Sequence, residues 1–139
     1  MSWDVFVLNL PPGIKSLDDI PKDYVPPPLG TRADIIAKIK AIYPQTDFSD
    51  PSWGTLQLPE CWIEFALGSE EQVTSFSMLV RGGEHAPEIV AHILDTLGMH
   101  AIDPDSKTGI FADEDDLRES FARWGGFRSH VDKTINGGR

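Results

Sequence analysis

The sequence predicts an α+β fold, a two-layer sandwich whose mainly antiparallel sheet carries two amphipathic helices on one face, with a third helix towards the C-terminus. Three observations predict it. Three runs with two-residue alternation (Thr55–Leu58, Cys61–Leu67 and Val73–Val80) follow one another across turns too short for a crossover. Segments on either side of them space their apolar residues by threes and fours, the period of a helix with one buried face. The resulting order, β-α-β-β-β-α-β(β)-α, leaves one apolar face on each helix and one on the sheet, and two layers bury all of them.

Trp3–Leu10 is rich in β-formers and stops at Pro11-Pro12-Gly13. Residues 11–30 hold six prolines, which remove backbone donors and block helix, so this stretch is an extended connection wrapped on the core. Leu17, Ile20, Tyr24 and Leu29 are its expected anchors. Thr31-Arg32-Ala33-Asp34 resembles a capping box with Asp in place of Glu. Behind it Ile35, Ile36, Ile39, Ile42 and Tyr43 form one stripe, which Pro44 ends. Residues 47–54 read as turn chemistry around Phe48 and Trp53.

The first two alternating runs make a hairpin across Pro59-Glu60. Cys61, Ile63, Phe65 and Leu67 share one face of it, and Trp62, Glu64 and Ala66 the other. Pro87 suits the first turn of a second helix, Ile89, Val90, Ile93, Leu94 and Leu97 are its stripe, and Gly98 sits just past its end. His100–Ile102 and Ile110-Phe111 are short strand candidates around a turn-rich loop. Asp113 caps a third helix that ends at Trp124, with Leu117, Phe121 and Trp124 as its stripe. Residues 1–124 are therefore expected to form a single domain, and residues 125–139 a flexible polar tail.

The 139 residues suffice for one domain. With 40% hydrophobic and 24% charged residues, the composition is that of a folded chain, not a disordered one. No apolar run approaches the roughly 20 residues that span a bilayer. Met1-Ser2-Trp3-Asp4 lacks the basic start of a signal peptide, and the lone Cys61 excludes an internal disulfide, so a cytoplasmic location is expected. Twelve Lys and Arg against 22 Asp and Glu give a net charge of −10. Such a surface repels phosphate backbones and anionic lipid, which argues against nucleic acid and membrane as partners and for a basic protein.

Catalytic motifs are absent. Gly-x-Ser-x-Gly does not occur, and Cys61 lies on an apolar strand face, where a thiol is a small inert hydrophobe. Asp103-Pro104-Asp105 starts like a calcium loop, but Lys107 and Thr108 stand where a ligand and a glycine are needed. Ser106-Lys107-Thr108-Gly109 lacks the glycine and the following helix of a phosphate loop. Arg81-Gly82-Gly83 precedes a helix, yet Glu84 competes for the same amides, which assigns the glycines to turn geometry. His85, Glu88 and His92 stand at i, i+3 and i+7 opposite the apolar stripe, a line of imidazole and carboxylate of the type that binds zinc. The spacing lacks His-x-x-x-His and no further ligand completes it, so a solvated polar face is the simpler account and no cofactor is expected.

Trp3-Asp4-Val5, Asp19-Ile20-Pro21, Pro28-Leu29-Gly30, Ser49-Asp50-Pro51-Ser52-Trp53-Gly54, Ile63-Glu64-Phe65 with Leu67-Gly68, and Arg81-Gly82-Gly83 together resemble a family of small, largely uncharacterised bacterial domains, over about residues 1–112. Small acidic bacterial domains of this build are similar to immunity proteins, which neutralise a cognate toxin by masking its active site. The shared elements are turns and strand edges, and no functional residue carries over.

Charge is the remaining signal. Half the net charge falls between Asp103 and Glu119: seven acids against Lys107 and Arg118, −7 + 2 = −5. The expected function is therefore a non-enzymatic protein-binding one, an immunity-type inhibitor of a basic toxin or effector. Asp113, Glu114, Asp115, Asp116 and Glu119 would steer the partner, and Trp124 and Trp53 would anchor it. The alternative is a small metal-dependent enzyme or metal-binding domain using His85, Glu88 and His92, or a ligand-binding domain with its pocket under the proline-rich loop. The sequence leaves the oligomeric state open.

Overall fold

A computed structural model describes residues 2–103, 109–111 and 114–136. The chain opens with β1 (Trp3–Leu8), in which Trp3, Val5 and Val7 are buried and Asp4 and Phe6 face the other way. The proline-rich connection includes a single 3-10 turn, Leu17–Asp19, closed by a reciprocal Ser16–Asp19 capping box. The Asn9 side chain donates to the carbonyls of Pro27 and Pro28, both at 3.1 Å, and the Tyr24 hydroxyl donates to the Asn9 carbonyl at 2.8 Å. These bonds hold the connection to the end of β1, so Tyr24 is an anchor as expected.

Next come β2 (Gly30–Thr31) and α1 (Arg32–Ile42). The Thr31 hydroxyl caps α1 by accepting the Asp34 N–H at 3.1 Å. Ile35 and Ile39 are buried, and Ile36 and Tyr43 pack against the core. Then follow β3 (Asp47–Asp50), β4 (Trp53–Gln57), β5 (Cys61–Ala66), β6 (Gln72–Val73) and β7 (Ser75–Gly82). Helix α2 (Ala86–Leu97) ends at Gly98, whose φ of 65° is the left-handed cap anticipated from the sequence. The two-residue β8 (Ala101–Ile102) and α3 (Glu114–Asn136) complete the chain.

Six strands form one antiparallel sheet in the order β3-β4-β5-β7-β1-β8, and β2 pairs with β6 in a two-stranded one. With three helices, this is the α+β fold the sequence predicts. One apolar core joins the inward side chains of the sheet to Ile35 and Ile39 of α1, to Val90, Ile93, Leu94 and Leu97 of α2, and to Leu117 of α3. Among the described residues, no helix is long and apolar enough to cross a membrane.

Three expectations need correction. Residues 47–50, read as turn, form the edge strand β3. Phe48 points inward, 6.2 Å from the Phe65 ring, while the carboxylates of Asp47 and Asp50 accept the N–H and hydroxyl of Ser49 and Ser52. Turn-type side-chain bonds and strand pairing thus coexist on a charged edge, which discourages further pairing. Val73 belongs to β6, not to the following strand, because the Leu29 N–H claims its carbonyl at 2.7 Å. Finally, α3 does not end at Trp124 but runs through Gly125 and Gly126 to Asn136. An interior glycine costs a helix about 1 kcal/mol, a penalty that does not break it as proline would. Asp113, the expected cap of α3, lies outside the described residues, as do Pro104–Thr108.

Candidate interaction surface

The first turn of α3 gathers Glu114, Asp115 and Asp116, carboxylates that a helix N-terminus favours. Arg118 folds back over this turn. Its Nε and Nη2 reach Glu114 Oε2 at 3.2 and 3.0 Å, and Nη2 also reaches Glu88 Oε1 on α2 at 2.7 Å. The cation in the acidic patch is therefore spent as a clamp between α2 and α3. Asp115 and Glu119 remain exposed, and Asp116 is half-buried.

The hydrogen bond from Arg118 holds the Glu88 carboxyl below the ordinary glutamate range. A carboxyl lowered in the folded state contributes stability above its unfolded value, about 4.3, and loses that contribution as pH falls through the folded value. Glu88→Gln is thus expected to lower the thermal midpoint at pH 7, by a difference that shrinks as pH falls below about 4.3, as followed by circular dichroism. Because both partners are exposed, the difference is expected to shrink in high salt.

The two expected aromatic anchors lie on opposite sides of the sheet. Trp124 packs against the core, its ring 5.4 Å from Phe121, which meets Trp3 edge-on at 5.2 Å. Trp53, by contrast, is 42% exposed on the face turned away from the helices. That face also exposes Trp62 (41%) and Phe6 (39%), which the sequence reading did not single out. The signal was present: Trp62 and Phe6 alternate with the buried pairs Cys61/Ile63 and Val5/Val7.

The helix histidines do not converge. His85 precedes α2, with Glu88 3.7 Å, Glu84 3.8 Å and Glu60 3.9 Å away, whereas His92 is separately exposed. Among the described residues, no group of three or more His, Cys, Asp or Glu side chains is arranged to hold a metal ion. Cys61 is buried, and burial pushes its thiol up to about 11, the setting of an inert core cysteine.

The turns around Asp50 and Gly82 serve geometry. Asp50 closes its turn through Ser52, and Gly54 leaves room for the Phe48 ring, which a Cβ there would overlap. Gly82 lets β7 pass the backbone of the β4–β5 turn. Comparison with protein-family models, curated proteins and solved structures gave no match.

Proposed function

We propose that this chain is a non-enzymatic binding protein that masks a basic protein partner, in the manner of an immunity-type inhibitor. The observation that carries this reading is the start of α3. Glu114, Asp115, Asp116 and Glu119 stand there with Arg118, whose guanidinium is already shared between Glu114 and Glu88. A negative field that exceeds what capping a helix needs raises the encounter rate with a cationic surface.

The test is to co-purify the chain with the product of the adjacent gene by size exclusion at low and high salt. A stoichiometric complex that weakens with salt is expected. The double variant Asp115→Lys, Glu119→Lys is expected to slow association about tenfold with little change in dissociation, as steering charges act on the on-rate. Separate elution at both salts, or an unchanged on-rate, would overturn the reading.

A further inference from the structure

We propose that the open face of the six-stranded sheet, cornered by Phe6, Trp53 and Trp62, is the surface on which a basic protein docks, while the start of α3 only steers it. This rests on the binding function proposed above and names where contact is made.

The pairing register lays the face out in rows. One row crosses it as Trp53–Ala66–Ser77–Phe6. The next runs Asp47–Thr55–Glu64–Leu79–Asp4, and the third sets Trp62 between Gln57 and Arg81. With strands about 4.8 Å apart and a rise of about 3.3 Å per residue, the three aromatic positions mark a triangle roughly 14–16 Å on a side. Each exposes about two fifths of its surface. Soluble domains rarely leave several large aromatic side chains on one flat face without use. Tryptophan is also the residue type that most often dominates contact energy, since it brings 150–250 Å² of rigid surface at the cost of two torsions, by order of magnitude.

Charge decides the occupant. Between the two rows that hold the aromatic rings, the middle row presents three carboxylates, Asp4, Asp47 and Glu64. The face also carries Arg81, and Glu64 engages it at 3.2 Å. The Asp47 carboxyl accepts both the N–H and the hydroxyl of Ser49, which holds it below the ordinary aspartate range. A second copy of this chain would set carboxylate rows against each other. A partner with Lys or Arg between apolar side chains would pair with the acids and cover the rings. The carboxylates of the α3 start share the sign, so both surfaces favour the same partner, one at long range and the other in contact.

The experiment uses the full chain, isotopically labelled, titrated with a synthetic peptide of alternating Arg and Leu and with a control in which Glu replaces Arg. Amide shifts are expected to cluster on residues 53–57, 62–66 and 77–81 for the basic peptide and to be absent for the acidic one. Trp62→Ala and Trp53→Ala are each expected to weaken binding at least tenfold through faster dissociation, and Asp115→Lys, Glu119→Lys to act through slower association alone, with dissociation unchanged. Both tryptophans are exposed, so their variants are expected to keep the parent's circular dichroism, and this is checked before titration. Shifts confined to the start of α3 would overturn the sheet-face assignment while leaving the binding function standing. No binding of the basic peptide, or a concentration-dependent dimer lost in Trp62→Ala, would overturn the proposal.

Discussion

Gly82→Ala is expected to destabilise the fold by about 2–4 kcal/mol, from overpacking and backbone strain together. Gly82 ends β7 at φ +152°, and a Cβ there would lie 2.6 Å from the Glu60 carbonyl oxygen and 2.7 Å from Cys61 Cα. Both atoms are backbone, so no side-chain rotation relieves the overlap. Relief requires parting the Cys61–Gly82 end of the β5–β7 ladder and the 2.9 Å bond from the Gly83 N–H to the same carbonyl. The neighbouring glycine is an internal control, because a Cβ on Gly83 meets that oxygen at an ordinary 3.6 Å. Gly83→Ala is expected to change stability by less than about 0.5 kcal/mol, within the usual range for surface sites. Equal urea midpoints for the two variants would refute the account. Against a typical total of about 5–15 kcal/mol, the loss at Gly82 is large.

The central strands and two helices were legible because each has one buried face and so writes its own period into the sequence. Cys61, Ile63 and Phe65 alternate inward, and Ile93 and Leu97 return every turn of α2. Terminators were legible for a similar reason: the left-handed conformation of Gly98 is one that glycine adopts without strain. What escaped depends on partners distant in the chain. Strand β3 has one inward residue, Phe48, and its seat is the space above Gly54. Strand β6 exists because Leu29 and Gly30 arrive beside Val73 from more than forty residues away. The two-residue β2 and β6 carry no period to read.

The site was legible as charge and illegible as place. A run of acids is visible in any sequence, but whether Arg118 neutralises it depends on Glu88 lying on the adjacent helix, thirty residues earlier. The tryptophans show the same limit. Trp124 fits the helical stripe with Phe121 and packs against the core, whereas Trp53 stands exposed on the outer face. Trp62 was placed on the outer strand face by alternation alone. Its significance emerges only when the register sets it on the same face as Phe6 and Trp53.

Trp3→Ala is expected to cost about 3–5 kcal/mol, the range for deleting a buried aromatic side chain, and to loosen α3 before the sheet. Trp3 is 3% exposed, and its Nε1 donates to Ser120 Oγ at 2.9 Å. Ser120 in turn donates to Asp103 Oδ2 at 2.6 Å, an oxygen that Arg123 also reaches at 3.3 Å. With the edge-on Phe121 ring, these bonds latch α3 to β1 at the opposite end of the sequence. Ser120→Ala removes the polar half of the latch alone and is expected to cost about 1–3 kcal/mol, because it strands the buried indole N–H. Amide exchange around Leu117–Phe121 reports the difference: it is expected to accelerate far more in Trp3→Ala than exchange in β5 and β7, whose register does not depend on the latch. Uniform acceleration would show that Trp3 supports the whole core instead. Since the carboxylates that steer the proposed partner ride on α3, the same variant is also expected to slow association, although Trp3 itself lies on the covered face of the sheet.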